Sequence, residues 1–267
     1  MYKRQSLGRP ILGSRETVSA FTREDVVNHW SSNYTSERVV VSAAGNIDHN
    51  KVVKLVERKL KLPGANGPLQ RTLNDCVQST SDFVRRKDIV QAHICLGTRS
   101  IRFADDRRFA LTLMNSVLGS GMSSRLFQRV REKNGLAYTI YSFNESLSDS
   151  GMIGIYAATE EKQVEKALRL IHQEIDKIAD KPLSTTEIKR AKNQLKGALM
   201  LGQESISNRM HRLARGEIYM EQYTPLDELV ERIDAVTAAD IMQIAQDLFS
   251  QPFYTARLLP LESGATG

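Results

Sequence analysis

The stretch that decides how this chain is interpreted runs from Ser123 to Tyr138, with the sequence SSRLFQRVREKNGLAY. A serine pair precedes residues of helical spacing, a charged turn and Gly135 follow, and an apolar strand begins after the glycine. Arg131 and Tyr138 therefore flank the turn, one at the end of the helix and one at the start of the strand. A guanidinium and a phenol placed in this way can converge on one carbonyl oxygen.

A purely structural interpretation explains the same residues. Gly135 is a typical C-cap residue, and in that case Arg131 is solvated and Tyr138 is packed. Single Arg and Tyr residues are common at the ends of elements. The residues alone leave both interpretations open.

The sequence around this block predicts an α+β protein. Before residue 63 it predicts a helix capped by Thr22, a strand over 38–44 and a helix capped by Asp48. A stretch at 63–82 with two Pro-Gly or Gly-Pro pairs is predicted to be a linker. The pattern then restarts over 83–267, which is predicted to be one complete domain. Strands are predicted at 89–96, 137–143, 151–157 and 254–259. Helices are predicted at 105–118, 161–179, 210–215 and 226–233. Three further helices are predicted to begin at Ser123 or Ser124, at Ser184 (ending near 201) and at Thr237 (ending near 249).

A short internal repeat suggests that residues 1–62 and the domain at 83–267 are related. Residues 18–20 (VSA) with 25–26 (DV) resemble residues 236–238 (VTA) with 240–241 (DI), and the order of the following elements matches. The predicted architecture is therefore two related α/β-sandwich-like domains with antiparallel-rich sheets covered by helices. Residues 1–62 would supply only the C-terminal half of the first domain.

The block at 123–138 resembles the C-terminal-half motif of the insulinase/pitrilysin zinc peptidases, in their processing-peptidase branch. Residues 7–13 (LGRPILG) resemble the segment that follows the zinc-site helices of that family. Residues 39–49 (VVVSAAGNIDH) resemble the strand and turn that close the zinc domain. The resemblance implies two related domains around a substrate chamber. It also implies that Arg131 and Tyr138 reach the substrate carbonyl at the scissile bond.

The family's zinc motif, His-x-x-Glu-His with a distal Glu, is not found in this sequence. No two of the five histidines share a helix face, although such a pair is what the motif requires. They are His29, His49, His93, His172 and His211. We therefore expect no metal ligand and no cofactor in this chain, which begins after the segment where the family carries its ligands. Zinc belongs to the intact family enzyme, and the chain alone is expected to be inactive.

Composition excludes several classes of protein. The net charge is +6, but the basic clusters lack interleaved aromatic residues, so we expect no nucleic-acid partner. Two cysteines, Cys76 and Cys95, do not form a disulfide framework and suit a reducing compartment. No apolar run reaches the length of a membrane span, and we expect no signal peptide at the N-terminus. A bacterial-type cytoplasmic location is expected, with the mitochondrial matrix as the alternative.

These observations predict the C-terminal part of a zinc-dependent metalloendopeptidase that acts on peptides or presequences. It would contribute Arg131 and Tyr138 without the metal site. Its expected partners are a peptide or unfolded protein substrate and either a second copy or a second peptidase-family domain. The alternative is a non-catalytic subunit or scaffold of a processing-peptidase-like complex.

Overall fold

The structure is a computed structural model that describes residues 9–64 and 82–261. Within these ranges the chain forms two compact units. The first consists of residues 9–64 together with Leu201–Tyr223, and the second of residues 82–200 and 224–261. The sequence predicted 83–267 as one continuous domain, whereas residues 201–223 are grouped with the first unit. The linker at 63–82 lies mostly outside the described residues, and the domain boundaries stay a prediction.

The first unit is helical in its described part. It contains α1 (Arg15–Ala20), α2 (Arg23–Asn33), α3 (His49–Lys59) and α7 (Ile206–Met220). The predicted caps are confirmed: the Asp25 N–H donates to Thr22 Oγ1 over 3.2 Å, and the Lys51 N–H donates to Asp48 Oδ1 over 2.9 Å. These side chains satisfy backbone donors that the first helical turn leaves without a partner.

The strand predicted over 38–44 is wrong. This segment pairs with no strand among the described residues. A β-branched run favours a strand only where a neighbouring strand completes the hydrogen-bond ladder. Here the Ser42 hydroxyl instead donates to the carbonyl of Met210 over 2.8 Å.

The second unit contains a five-stranded sheet. Its strands are β1 (Phe83–Lys87), β2 (Ala92–Ser100), β3 (Thr139–Ser146), β4 (Gly151–Thr159) and β5 (Tyr254–Pro260). Their order across the sheet is β1-β5-β2-β4-β3. The β1–β5 pair is parallel and the other pairs are antiparallel. Strand β1 was not predicted, because its two apolar residues, Phe83 and Val84, are adjacent and lie on opposite faces, so no alternating apolar face marks the sequence.

Helices cover one face of this sheet. They are α4 (Arg108–Gly119), α5 (Val164–Asp180), α6 (Thr185–Gly202), α8 (Leu226–Ala235) and α9 (Ala238–Phe249), with a short 3₁₀ turn at Glu161–Gln163. Alternate residues of β2, namely Ala92, Ile94 and Leu96, are buried beneath them. His93 and Cys95 alternate with these residues and therefore lie on the opposite face of the sheet.

The predicted α+β class is confirmed, with one mixed, mostly antiparallel sheet covered by helices. The helix starts predicted at Ser184 and Thr237 are confirmed, and each carries a capping box. The Glu187 N–H donates to Ser184 Oγ over 3.3 Å, and the Asp240 N–H donates to Thr237 Oγ1 over 3.2 Å. Among the described residues, none of the helices combines the length and the apolar character needed to cross a bilayer.

Candidate functional site

The helix that carries Arg131 has an unusual turn. Residues Phe127–Glu132 are π-helical, and the Lys133 N–H donates to the Gln128 carbonyl, five residues back, over 3.0 Å. Leu126 and Val130 point into the core and are completely buried. Single π turns inside helices occur frequently at functional sites.

Ser124 lies at the predicted N-cap position, because the helix begins at Arg125 and the Gln128 N–H donates to the Ser124 carbonyl over 3.0 Å, but its hydroxyl is engaged elsewhere. Ser124 is buried, and its hydroxyl donates to the carbonyl of Gly121 over 2.7 Å. The hydroxyl therefore stabilises the turn before the helix. A serine this close to a glycine turn has a local carbonyl within reach, which competes with capping.

The predicted C-cap at Gly135 is confirmed. Gly135 has φ of 59°, its N–H donates to the Arg131 carbonyl over 2.9 Å, and the Leu136 N–H donates to the Val130 carbonyl over 3.0 Å. This nested pair resembles a Schellman motif, with each bond one residue longer because the last turn is π-helical. The cap fixes the path of the backbone between Arg131 and β3.

The Arg131 side chain is accessible to solvent. It is 44% exposed, and its Nε lies 4.0 Å from Glu132 Oε1. The guanidinium carbon stands 4.8 Å from the centre of the Phe127 ring, in cation–π contact. A guanidinium held over a ring in this way keeps N–H donors directed outward for an acceptor oxygen.

Tyr138 is not packed, so that part of the purely structural interpretation is wrong. The residue is 51% exposed. Its backbone is fixed, because its N–H donates to the Ala158 carbonyl over 2.9 Å. The pKa of Glu160 lies below its ordinary value. The main cause is the hydrogen bond from Lys162, and a smaller cause is the Tyr138 hydroxyl. A substrate carbonyl would have to compete with this exposed carboxylate for the phenol.

Arg131 and Tyr138 thus share one property: each is an exposed donor on a rigid backbone. Arg131 contacts Phe127 and Glu132, whereas Tyr138 acts on Glu160, whose pKa it helps to lower. The convergence of the two on one carbonyl remains a prediction.

Two ion pairs that sequence reasoning missed hold the same helix. Arg125 Nη2 lies 2.9 Å from Glu187 Oε1 on α6, and Arg129 Nη1 lies 3.0 Å from Glu174 Oε1 on α5. The spacing of Arg125 and Arg129, four residues apart, shows that they share a helix face. Their partners lie dozens of residues away, and the sequence carries no sign of the pairing.

The open face of the sheet carries a row of aromatic residues. His93 Nδ1 and the Tyr156 hydroxyl are 2.6 Å apart, and the Tyr156 and Tyr141 rings have centroids 5.2 Å apart. Desolvation raises the pKa of Tyr156, and burial raises the pKa of the Cys95 thiol beside it.

Among residues 9–64 and 82–261, His, Cys, Asp and Glu side chains form no cluster of three that could hold a metal ion.

Comparison with known proteins identifies the family. Residues 20–195 match the family model described as the Peptidase M16 inactive domain, which covers most of the chain. The chain therefore belongs to the M16 peptidase family, in agreement with the resemblance noted in its sequence.

Curated relatives are named zinc proteases. An uncharacterized zinc protease of Streptomyces coelicolor is 37% identical over 94% of this chain and 56% of its own length. The uncharacterized zinc protease YmxG of Bacillus subtilis is 35% identical over 97% of this chain and 63% of its own length. The chain thus spans about three fifths of the relatives it matches.

Solved structures share the fold. A peptidase M16 inactive domain from Pseudomonas fluorescens has a TM-score of 0.85 at 19% identity, covering 98% of this chain and 63% of that one. A chain of complex III2 from Candida albicans, with Inz-5 bound, has a TM-score of 0.86 at 22% identity, covering 100% of this chain and 65% of that one. At these identities the likeness concerns the fold alone.

Proposed function

We propose that this chain is the C-terminal part of a zinc-dependent metalloendopeptidase, to which it contributes Arg131 and Tyr138 as donors to the substrate carbonyl. The observation that carries the proposal is the exposure of both side chains on backbone that the Gly135 cap and the β3–β4 pairing hold rigidly. Donors fixed before the substrate arrives need little reorganisation during the reaction. The names of the bacterial relatives support the reaction class.

The described residues do not fit zinc, because they offer it no group of three ligands. Another segment or another chain would have to hold the zinc, whose chemistry there would be polarisation of the carbonyl and activation of water. The part assigned to this chain is narrower. The Arg131 guanidinium supplies positive charge, and the Tyr138 hydroxyl supplies a neutral donor, to the oxygen on which negative charge develops.

The proposed substrate is a peptide or an unfolded protein, and the proposed partner is a zinc-binding peptidase domain or a second copy of this chain. A cytoplasmic location is part of the same proposal. The alternative is a non-catalytic partner subunit, with which the description of the family model as an inactive domain is also compatible.

The test uses a full-length or reconstituted enzyme that carries a zinc-binding half. Arg131→Ala and Tyr138→Phe should each lower peptide turnover by roughly 10- to 1000-fold, the range expected for loss of one oxyanion donor. Zinc content and melting temperature should barely change, because both side chains are exposed.

The matched control is Lys133→Ala, an exposed cation at the end of the same helix. Arg125 is unsuitable as a control, because it is ion-paired with Glu187. Turnover that survives both Arg131→Ala and Tyr138→Phe would refute the proposed role and favour the non-catalytic alternative.

A further inference from the structure

Glu174 is a buried acid on α5 with a partner on another element. The residue is 4% exposed, and its Oε1 lies 3.0 Å from Arg129 Nη1 and 2.8 Å from Lys177 Nζ. Lys177 is one turn along the same helix, so of the two ion pairs that Glu174 makes among the described residues, the one with Arg129 reaches the π turn. The Arg129 guanidinium is held twice, since its Nη2 donates to Gln173 Oε1 over 2.6 Å.

Arg129 is also held at its backbone. Its carbonyl accepts a hydrogen bond from Asn134 Nδ2 over 2.7 Å. Val130, the next residue, is completely buried, and Arg131 follows at the surface. The position of Arg131 is therefore set by the residue pair immediately before it.

A π turn needs such support. Its hydrogen bonds span five residues, and π-helical geometry is rare and seldom extends beyond one turn. Because Glu174 is almost fully buried, little water can replace a donor that its carboxylate loses, so the ion pair constrains the Arg129 guanidinium. Glu187, which pairs with Arg125 at the start of the helix, is less buried and also caps α6 through Ser184.

We propose that Glu174 is a positioning residue. Through Arg129 it holds the π turn in the place from which the Arg131 guanidinium reaches its acceptor. The inference rests on the proposed function of Arg131, but the holding of the turn can be measured without any activity.

The first test is hydrogen exchange in the 267-residue chain. Glu174→Gln keeps the shape and removes the charge, and it should speed amide exchange over residues 127–136 about tenfold. Exchange over β2 should not change. Arg129→Lys keeps a charge but cannot reach both Glu174 and Gln173, and should give the same pattern. Unchanged exchange over 127–136 in both variants would overturn the inference.

Glu187→Gln is the comparison for this measurement. It removes the other acidic partner of the helix, and its effect should be centred on the start of α6 and on Arg125. If Glu187→Gln loosened residues 131–136 as much as Glu174→Gln does, the two pairs would be equivalent and Glu174 would have no special role.

The second test is a double-mutant cycle in the full-length enzyme. Glu174→Gln should lower kcat about tenfold with KM within about twofold, and should cause no further loss in an Arg131→Ala background. An additive loss would mean that Glu174 does not act through Arg131. If Arg131→Ala itself had no effect, the proposed function would fail, and the exchange result alone would decide whether Glu174 holds the turn.

Discussion

At the scale of single residues, Gly135 is the position on which the site's geometry depends most directly. It adopts φ of 59°, and an added Cβ would meet no heavy atom within 4 Å. The requirement for glycine there is conformational, since there is room for a side chain. Left-handed backbone disfavours residues with a Cβ, and Asn tolerates it better than Ala.

Gly135→Ala should therefore destabilise the chain by about 1 kcal/mol, while Gly135→Asn should cost only a few tenths of a kcal/mol. Urea unfolding of both variants, followed by circular dichroism, measures the difference. Equal losses for Ala and Asn would show that the cap does not set the stability of this turn.

The residues of the site were predictable only in part. The cap at Gly135 and the exposure of Arg131 follow from local sequence, because each depends on residues a few positions away. The exposure of Tyr138 does not, since it depends on which strand pairs beside it. The Arg125–Glu187 contact joins residues 62 positions apart, so no local pattern reveals it.

At the scale of elements, two helices start with the same capping box but differ in what they bury. Thr237 and Asp240 cap α9, which buries four side chains in the core. Thr22 and Asp25 cap α2, which buries none. The same local chemistry should therefore have different consequences for global stability.

Thr237→Ala should lower the free energy of unfolding by about 1 kcal/mol at neutral pH. Thr22→Ala, the matched control, should lower it clearly less. The pKa of Asp240 is lowered, first by the Thr237 N–H and then by its hydroxyl. A lowered folded-state pKa gives stability that is present above the ordinary Asp value and is lost as pH falls through the folded value.

Asp240→Asn should accordingly destabilise the chain at pH 7, and the difference from the parent should shrink below about pH 4. Urea midpoints at the two pH values provide the measurement. A constant difference at both would show that the carboxylate charge does not contribute.

Elements whose signals are local were predicted well. The starts of α2, α3, α6 and α9 follow from their capping residues, and both strands of the β3–β4 hairpin at one edge of the sheet were predicted. The strand expected at 38–44 failed because a strand depends on a partner that the segment itself does not specify. Strand β1 was missed for the same reason, because its exposed, basic sequence forms a strand only through parallel pairing with β5.

At the scale of the whole molecule, the first unit exposes much apolar surface. Among its described residues only Thr35 is buried. Large apolar side chains more than 40% exposed include Phe21, Val26, Trp30, Val41, Ile206, Ile218 and Tyr223. Apolar surface on this scale is typical of an interface.

We therefore expect the chain to self-associate. Sedimentation velocity should show a weight-average mass that rises with concentration in the micromolar range. Trp30 is the only tryptophan of the sequence, so a blue shift of its emission with concentration would place the contact in the first unit. A strict monomer in which residues 38–44 exchange as slowly as β2 would contradict this expectation.

The isolated chain should also hold no stoichiometric zinc at neutral pH. Structural and catalytic zinc sites take at least three protein ligands, and no such set is present among the described residues. Elemental analysis after dialysis measures this directly. One tightly held zinc per chain, with no added partner, would refute it.

The position of β5 has a consequence for how the protein is made. This strand lies between β1 and β2, although it is the last of the five along the chain. While the ribosome is still adding residues before 254, β1 has been synthesised but the strand beside which it belongs has not. The hairpin of β3 and β4 can pair with β2 early, whereas β1 cannot join the sheet until β5 has been synthesised. Formation of this sheet therefore ends with the insertion of its last-synthesised strand between β1 and β2, and a nascent chain stalled before that point leaves β1 and one edge of β2 unpaired, which chaperones could recognise.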